Sequence, residues 1–177
     1  MSSRKVKPFV RTLQVISSSY ASSETTFTTA THYLTTGDLV TIRFKNNPLF
    51  LTNVPVTVLS ATTFKVSTDR DYNIREDGEV QIDFFSAGMT GRQRAITLTH
   101  GSGAPAVLQS YVKGTGGAVY TIEGSLDNSH WTTDSPITHA GTTDDTQAST
   151  IVPAWAFVTI NITSIGAATK LYVNISS

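Results

Sequence analysis

Apolar and polar residues alternate one for one through much of this chain, and that period constrains its fold more than any other feature. Val40, Ile42 and Phe44 alternate with Thr41 and Arg43, and Val80, Ile82 and Phe84 with Gln81 and Asp83. Val158, Ile160 and Ile162 alternate with Thr159, Asn161 and Thr163, and Leu171, Val173 and Ile175 with Tyr172 and Asn174. Successive side chains of a strand point to opposite faces, so each run has one apolar and one mainly polar side, as in an antiparallel sheet with one face wet. No window of about 11 residues shows helical spacing. Thr supplies 29 of the 177 residues and Ser 19, and the β-branched Thr, Val and Ile of the periodic runs suit a pleated surface better than a helix. The expected class is all-β.

Turn residues divide the strands. Gly37-Asp38 precedes one strand, Ser60–Thr63 separates Val56–Leu59 from Phe64–Val66, and Asp77-Gly78 is a hairpin dipeptide. Gly114–Gly117, Asp127-Asn128 and Gly166–Ala168 are read as later hairpin turns. Many short strands at this spacing point to a sandwich or Greek-key barrel. The alternation lapses near Ser86–Arg94, so two small antiparallel modules are expected, residues 12–88 and 92–177, the second an Ig-like sandwich. Residues 1–100 carry 11 basic and 8 acidic residues, and residues 101–177 carry 2 and 5. Residues 1–11 read as a basic arm, in which Arg4, Lys5 and Lys7 lie close together, Pro8 interrupts pairing and Arg11 follows. Such an arm is either a solvated terminus or a segment that orders against an acidic neighbour.

Zero net charge with 15% charged residues argues against a nucleic-acid partner, which calls for a basic domain. Without cysteine there is no disulfide, thiol nucleophile or Cys-based zinc site. No apolar run approaches the roughly 20 residues of a membrane span, and Met1–Pro8 has no apolar stretch behind it to make a secretory signal. His32, His100, His130 and His139 form no His-x-x-x-His or zincin pattern, and no Gly-x-Ser-x-Gly elbow is present. Asp69/Asp71, Glu76/Asp77/Glu79 and Asp144/Asp145 fall in turn-rich segments and read as solvated loop charge, with a weak calcium site as the residual option. A strand follows Gly114–Gly117, so a phosphate loop is not expected there. The chain is therefore expected to have no catalytic residues, metal or cofactor. Trp155 is assigned to the core by its apolar neighbours, and Trp131, in a polar loop, is left as a contact residue.

Two stretches carry a resemblance. Phe27–Ile42, with His32 leading into Gly37-Asp38, followed by Val54–Val66, resembles a β module of tailed-bacteriophage virion proteins. Val119–Trp131, with Trp155–Thr163 downstream, resembles small β-sandwich domains of phage structural proteins that carry an Ile-Glu-Gly-Ser-x-Asp-Gly-x-x-Trp segment; here Asn128 stands at the second Gly. The resemblance implies a virion structural protein without catalysis. The expected role is a capsid decoration (cement) protein, bound in many copies to the major capsid protein or other virion proteins and forming a homo-oligomer on the particle. The alternative is a tail, baseplate or fibre component, possible binding of host glycan included. Expected partner contacts are Arg4, Lys5, Lys7, Arg11 and Trp131.

Overall fold

The computed structural model describes residues 6–44, 47–72, 78–98, 105–140 and 147–176, and every regular element among them is a strand. The chain forms two compact units. One is Arg11–Ile82, and the other joins the stretch ending at Val10 to the chain from Asp83 onward.

The second unit begins with β1 (Val6–Pro8). The first unit then contributes β2 (Arg11–Ala21), β3 (Glu24–Thr29), β4 (Leu39–Phe44), β5 (Asn47–Pro55), β6 (Thr57–Val58), β7 (Thr63–Ser67) and β8 (Gly78–Ile82). Their order is β5-β4-β8-β2-β3-β7-β6, with every pair antiparallel. β2 serves two neighbours: Arg11–Gln14 pair with β8, and beyond a bulge at Ile16 the strand pairs with β3. A bulge bends a strand and tightens its twist. The end strands β5 and β6 are one stretch of chain kinked at Val56, so the last position of the sheet continues the first, closing a small barrel. Closure leaves few open edges. Val15, Phe27, Val40, Ile42, Phe64, Val66, Val80 and Ile82 are buried within this unit.

The second unit continues with β9 (Phe85–Ser86), β10 (Gly91–Arg92), β11 (Ile96–Thr97), β12 (Ala106–Lys113), β13 (Ala118–Ser125), β14 (Thr132–His139), β15 (Gln147–Val152), β16 (Phe157–Ile165) and β17 (Lys170–Ser176). One sheet runs β9-β17-β12-β15 and the other β10/β11-β16-β13-β14. Counting β10 and β11 as one interrupted strand, the orders are 1-8-3-6 and 2-7-4-5, the winding of a jelly roll. The expected Ig-like sandwich is corrected on this point. The two final strands of an Ig domain pair in one sheet, whereas β16 and β17 lie in different sheets. Gly114–Gly117 and Gly166–Ala168 are accordingly crossovers between sheets rather than hairpin turns. Asp127-Asn128 does close a hairpin, β13 with β14. Leu108, Val112, Leu171, Val173 and Ile175 from one sheet meet Tyr120, Ile122, Val158, Ile160 and Ile162 from the other in a shared core.

The start of the chain does not behave as an arm from Val6 onward. Val6, Lys7 and Pro8 stand opposite Ser176, Ile175 and Asn174, and the Phe9 N–H donates to the Val173 carbonyl (2.9 Å). Phe85 and Ser86 of β9 continue the same register opposite Leu171 and Lys170. β1 and β9 are thus two halves of one strand, interrupted by the barrel unit. Pro8 is tolerated because an edge strand has one side that needs no donor. The division therefore falls at Ile82/Asp83, not within 86–94, where Gly88 and Gly91 (φ 88° and 86°) instead shape the turn from β9 to β10.

The insert's own ends are neighbours, since Arg11 pairs with Ile82. Domain insertions are tolerated when termini lie close together. Joining Val10 to Asp83 should leave the jelly-roll unit folded. A cooperative thermal transition with native near-ultraviolet dichroism would check this, and its loss would show that the insert is needed for folding.

Candidate functional site

The segment with the Glu-Gly-Ser pattern is the natural place to look, and its side chains are occupied with one another. Ser125 Oγ accepts the N–H groups of Asp127 (3.2 Å) and Asn128 (2.9 Å) and donates to Asp127 Oδ1 (3.0 Å). Asp127 Oδ1 in turn accepts the amides of Ser129 and His130, both at 2.9 Å. These bonds hold the Asp127 carboxyl well below the usual range, and Asp127 raises the pKa of His130, whose Nδ1 lies 2.7 Å from Oδ2. Asn128 adopts φ 63°, a left-handed turn that Asn accepts readily. Each conspicuous polar residue between Ser125 and His130 helps build the β13–β14 turn.

Glu123 and Trp131, at the two ends of that segment, meet a third residue from β10. The Arg92 guanidinium bonds the Glu123 carboxylate and lies 5.1 Å from the Trp131 ring centroid. Asn161 on β16 donates to the other Glu123 oxygen (2.8 Å). The Glu123 side chain is only 5% exposed, and a buried carboxylate requires such paired, hydrogen-bonded surroundings. Trp131 is half-buried under Arg92. Arg92 and Asn161 had no signal in the sequence, because only the strand pairing places them beside Glu123.

Gly124 is explained by space. A Cβ there would lie 1.6 Å from Cδ2 of Trp155, whose ring packs on the core. Gly124→Ala must displace the indole, and overpacking of this kind destabilises by about 1–3 kcal/mol. A lower urea midpoint with red-shifted tryptophan emission is the expected result; an unchanged midpoint would contradict the packing.

In the barrel unit, His32-x-x-x-x-Gly37-Asp38 is likewise a built turn. Asp38 accepts the Thr35 N–H (2.9 Å) and hydroxyl (3.1 Å), and Gly37 has φ 97°. His32 is buried edge-on against Phe64, and its Nδ1 accepts the Leu34 N–H (3.0 Å). Burial is the main cause of its lowered pKa. A free His takes up its proton around 6.5, where folded His32 binds one less readily. The unfolded state then holds the extra proton, so this contribution is complete above that pH and is lost as pH falls toward the lowered folded value. Acidification from pH 7.5 to 5 should lower the barrel's urea midpoint more in the wild type than in His32→Asn, which keeps an acceptor and does not titrate. Equal acid sensitivity would remove His32 as the cause.

Of the expected contact residues described, Lys7 and Trp131 lie in the jelly-roll unit and Arg11 in the barrel unit. Lys7 sits in β1 and donates to the Thr97 carbonyl (3.2 Å), tying the edges of the two jelly-roll sheets. Arg11 belongs to the barrel unit. Its guanidinium donates to the His32 carbonyl and lies 5.7 Å from the Tyr33 ring centroid, and burial pushes its pKa down to about 10. Arg11 thus acts as an internal tie of the barrel unit. Arg4, Lys5, Glu76-Asp77 and Asp144-Asp145 lie outside the described residues.

One buried polar cluster was not anticipated. Tyr120 donates its hydroxyl to Ser110 Oγ (2.6 Å), which is 2.9 Å from His139 Nε2, linking β12 of one sheet to β13 and β14 of the other. All three are buried, and burial raises the Tyr120 pKa to about 12. The Ser-His pair has a catalytic look, but its place between the sheets makes it a core lock. Among the described residues no group of three or more His, Asp or Glu side chains is arranged to hold a metal. Compared with protein-family models, curated proteins and solved structures, the chain matches none.

Proposed function

We propose that this chain is a structural protein of a tailed-bacteriophage virion, a capsid decoration protein bound in many copies to the major capsid protein. The observation that carries the reading is the use made of the two phage-like segments. His32, Gly37-Asp38 and Glu123–His130 hold turns and sheet faces in shape, so what they resemble is a scaffold that presents surfaces. The jelly-roll winding adds an analogy, since this architecture recurs in viral capsids and lectins, though fold alone assigns no function. Decoration suits a small neutral protein because modest contacts per copy become strong through multivalency. The reading includes no catalysis, cofactor, nucleic acid or membrane.

The test is binding of the full chain to heads lacking it, with isolated tails of the same phage in parallel. Saturable binding to heads at a fixed ratio to the capsid protein is the expected result. Binding to tails alone would move the protein to the tail, baseplate or fibre. There the half-exposed Trp131 would be the first residue to test for glycan contact. Binding to neither would end the virion reading.

A further inference from the structure

Both cations of residues 101–177, Lys113 and Lys170, stand directly opposite each other across the β12–β17 pair. Like charges in that relation weaken a sheet, which sets this position apart from the rest of the strand pair. Rule-breaking positions in an otherwise consistent fold are where function is to be sought.

The rest of that outer face is equally selective. Its cross-strand rows are Val107/Ser176, Gln109/Asn174, Tyr111/Tyr172 and Lys113/Lys170, and none of the eight is acidic, although residues 101–177 hold five acidic residues. Tyr111 and Tyr172 stack with centroids 4.6 Å apart and planes within 1°, and Phe84 lies 5.7 Å beyond Tyr172. Lys113 Nζ reaches to 5.9 Å from the Tyr172 centroid and Lys170 Nζ to 4.9 Å from that of Phe84. Burial lowers the Lys170 pKa, and burial followed by nearby Asp83 and Tyr111 raises that of Tyr172 to about 12. Ammonium groups are held on aromatic rings beside neutral phenols, with exposed Gln109 and half-buried Asn174 in the next row.

We propose that this outer face, centred on Tyr111, Tyr172, Lys113 and Lys170, docks an acidic protein segment. Charge selects the partner: Lys113 and Lys170 outnumber Asp83, the acid that acts on Tyr172, so the face complements carboxylates and steers their approach. Tyrosine is the kind of residue that anchors protein interfaces, and amide side chains can meet a partner's backbone. Tyr111 covers one face of Tyr172 and Phe84 is tilted by 50° against the same ring, which narrows the room for a sugar ring to stack. The proposal rests on the assembly reading above, which requires a protein-facing surface, and assigns that surface.

The experiment uses the full chain and a fluorescein-labelled deca-glutamate peptide at low salt, read by anisotropy, with the anionic polysaccharide alginate in parallel. The wild type should bind the peptide, and Lys113→Gln with Lys170→Gln should weaken binding by about tenfold, as loss of interfacial charge does. Arg43→Gln, in the barrel unit, should bind as the wild type does. Lys113→Glu should abolish binding and yet raise the melting temperature, because opposite charges would then face each other. Failure to bind the peptide overturns the proposal, as does an equal loss in Arg43→Gln or binding of alginate alone. Heads that bind the double lysine variant as well as the wild type would also remove this face while leaving the capsid reading intact. Peptide binding without head binding would keep the face and remove that reading.

Discussion

Removing residues 1–10 should unfold the jelly-roll unit. Half of its first strand would go, and with it Phe9, which is 1% exposed in the core. Truncating a buried Phe to Ala alone destabilises by about 3–5 kcal/mol, against a total of about 5–15 kcal/mol for a typical domain. Phe9→Ala should therefore lower the urea midpoint sharply, and the deletion should abolish the jelly-roll transition. The barrel unit, which keeps Arg11 paired with Ile82, should retain its dispersed amide spectrum. A truncated chain with the full set of native jelly-roll resonances would mean that β1 is dispensable.

Ile160→Asp should have an effect as large, from the middle of the sandwich. Ile160 is fully buried, pairs with Ile122 and lies in the core shared by both sheets. A carboxylate there has no partner, and burying an unpaired charge costs several kcal/mol. Loss of cooperative unfolding in this unit is the expected outcome. Thr163→Asp, three residues along on the exposed side of the same strand, should change stability by no more than about 0.5 kcal/mol. A greater loss in Thr163→Asp than in Ile160→Asp would mean the strand faces are reversed.

The alternation of residues 158–162 and 171–175 told correctly which side chains face inward, because strand geometry fixes that locally. It could not tell which strands pair. Gly114–Gly117 and Gly166–Ala168 have the chemistry of a hairpin turn and of a crossover alike, and the choice between them depends on partners far along the chain. The start of the chain misled for a related reason. Its charge and Pro8 are local signals of a free terminus, while the bond from Phe9 to Val173 spans nearly the whole sequence. Trp131 stands out in the sequence as a candidate contact, but Arg92, which lies over its ring, approaches from another strand. The Lys113/Lys170 pair was equally out of reach, since each lysine alone looks like an ordinary surface charge until the register sets them face to face.

The interrupted strand also sets an order of events during synthesis. Residues 6–9 leave the ribosome before the barrel unit, which can close on itself once Ile82 has emerged, because all its pairings are internal. Their own partner, β17, comes after every other strand described here. Translation proceeds at about 5–20 residues per second, so an apolar plug and its empty seat are kept apart for roughly 5–20 s after the barrel is complete. Throughout that interval Phe9 is exposed, and the first strand of the jelly roll exists only as two unjoined halves. The nascent chain is then most open to capture by a chaperone or by another nascent copy, and slowing translation beyond Ile82 would lengthen that exposure without altering a single contact of the finished fold.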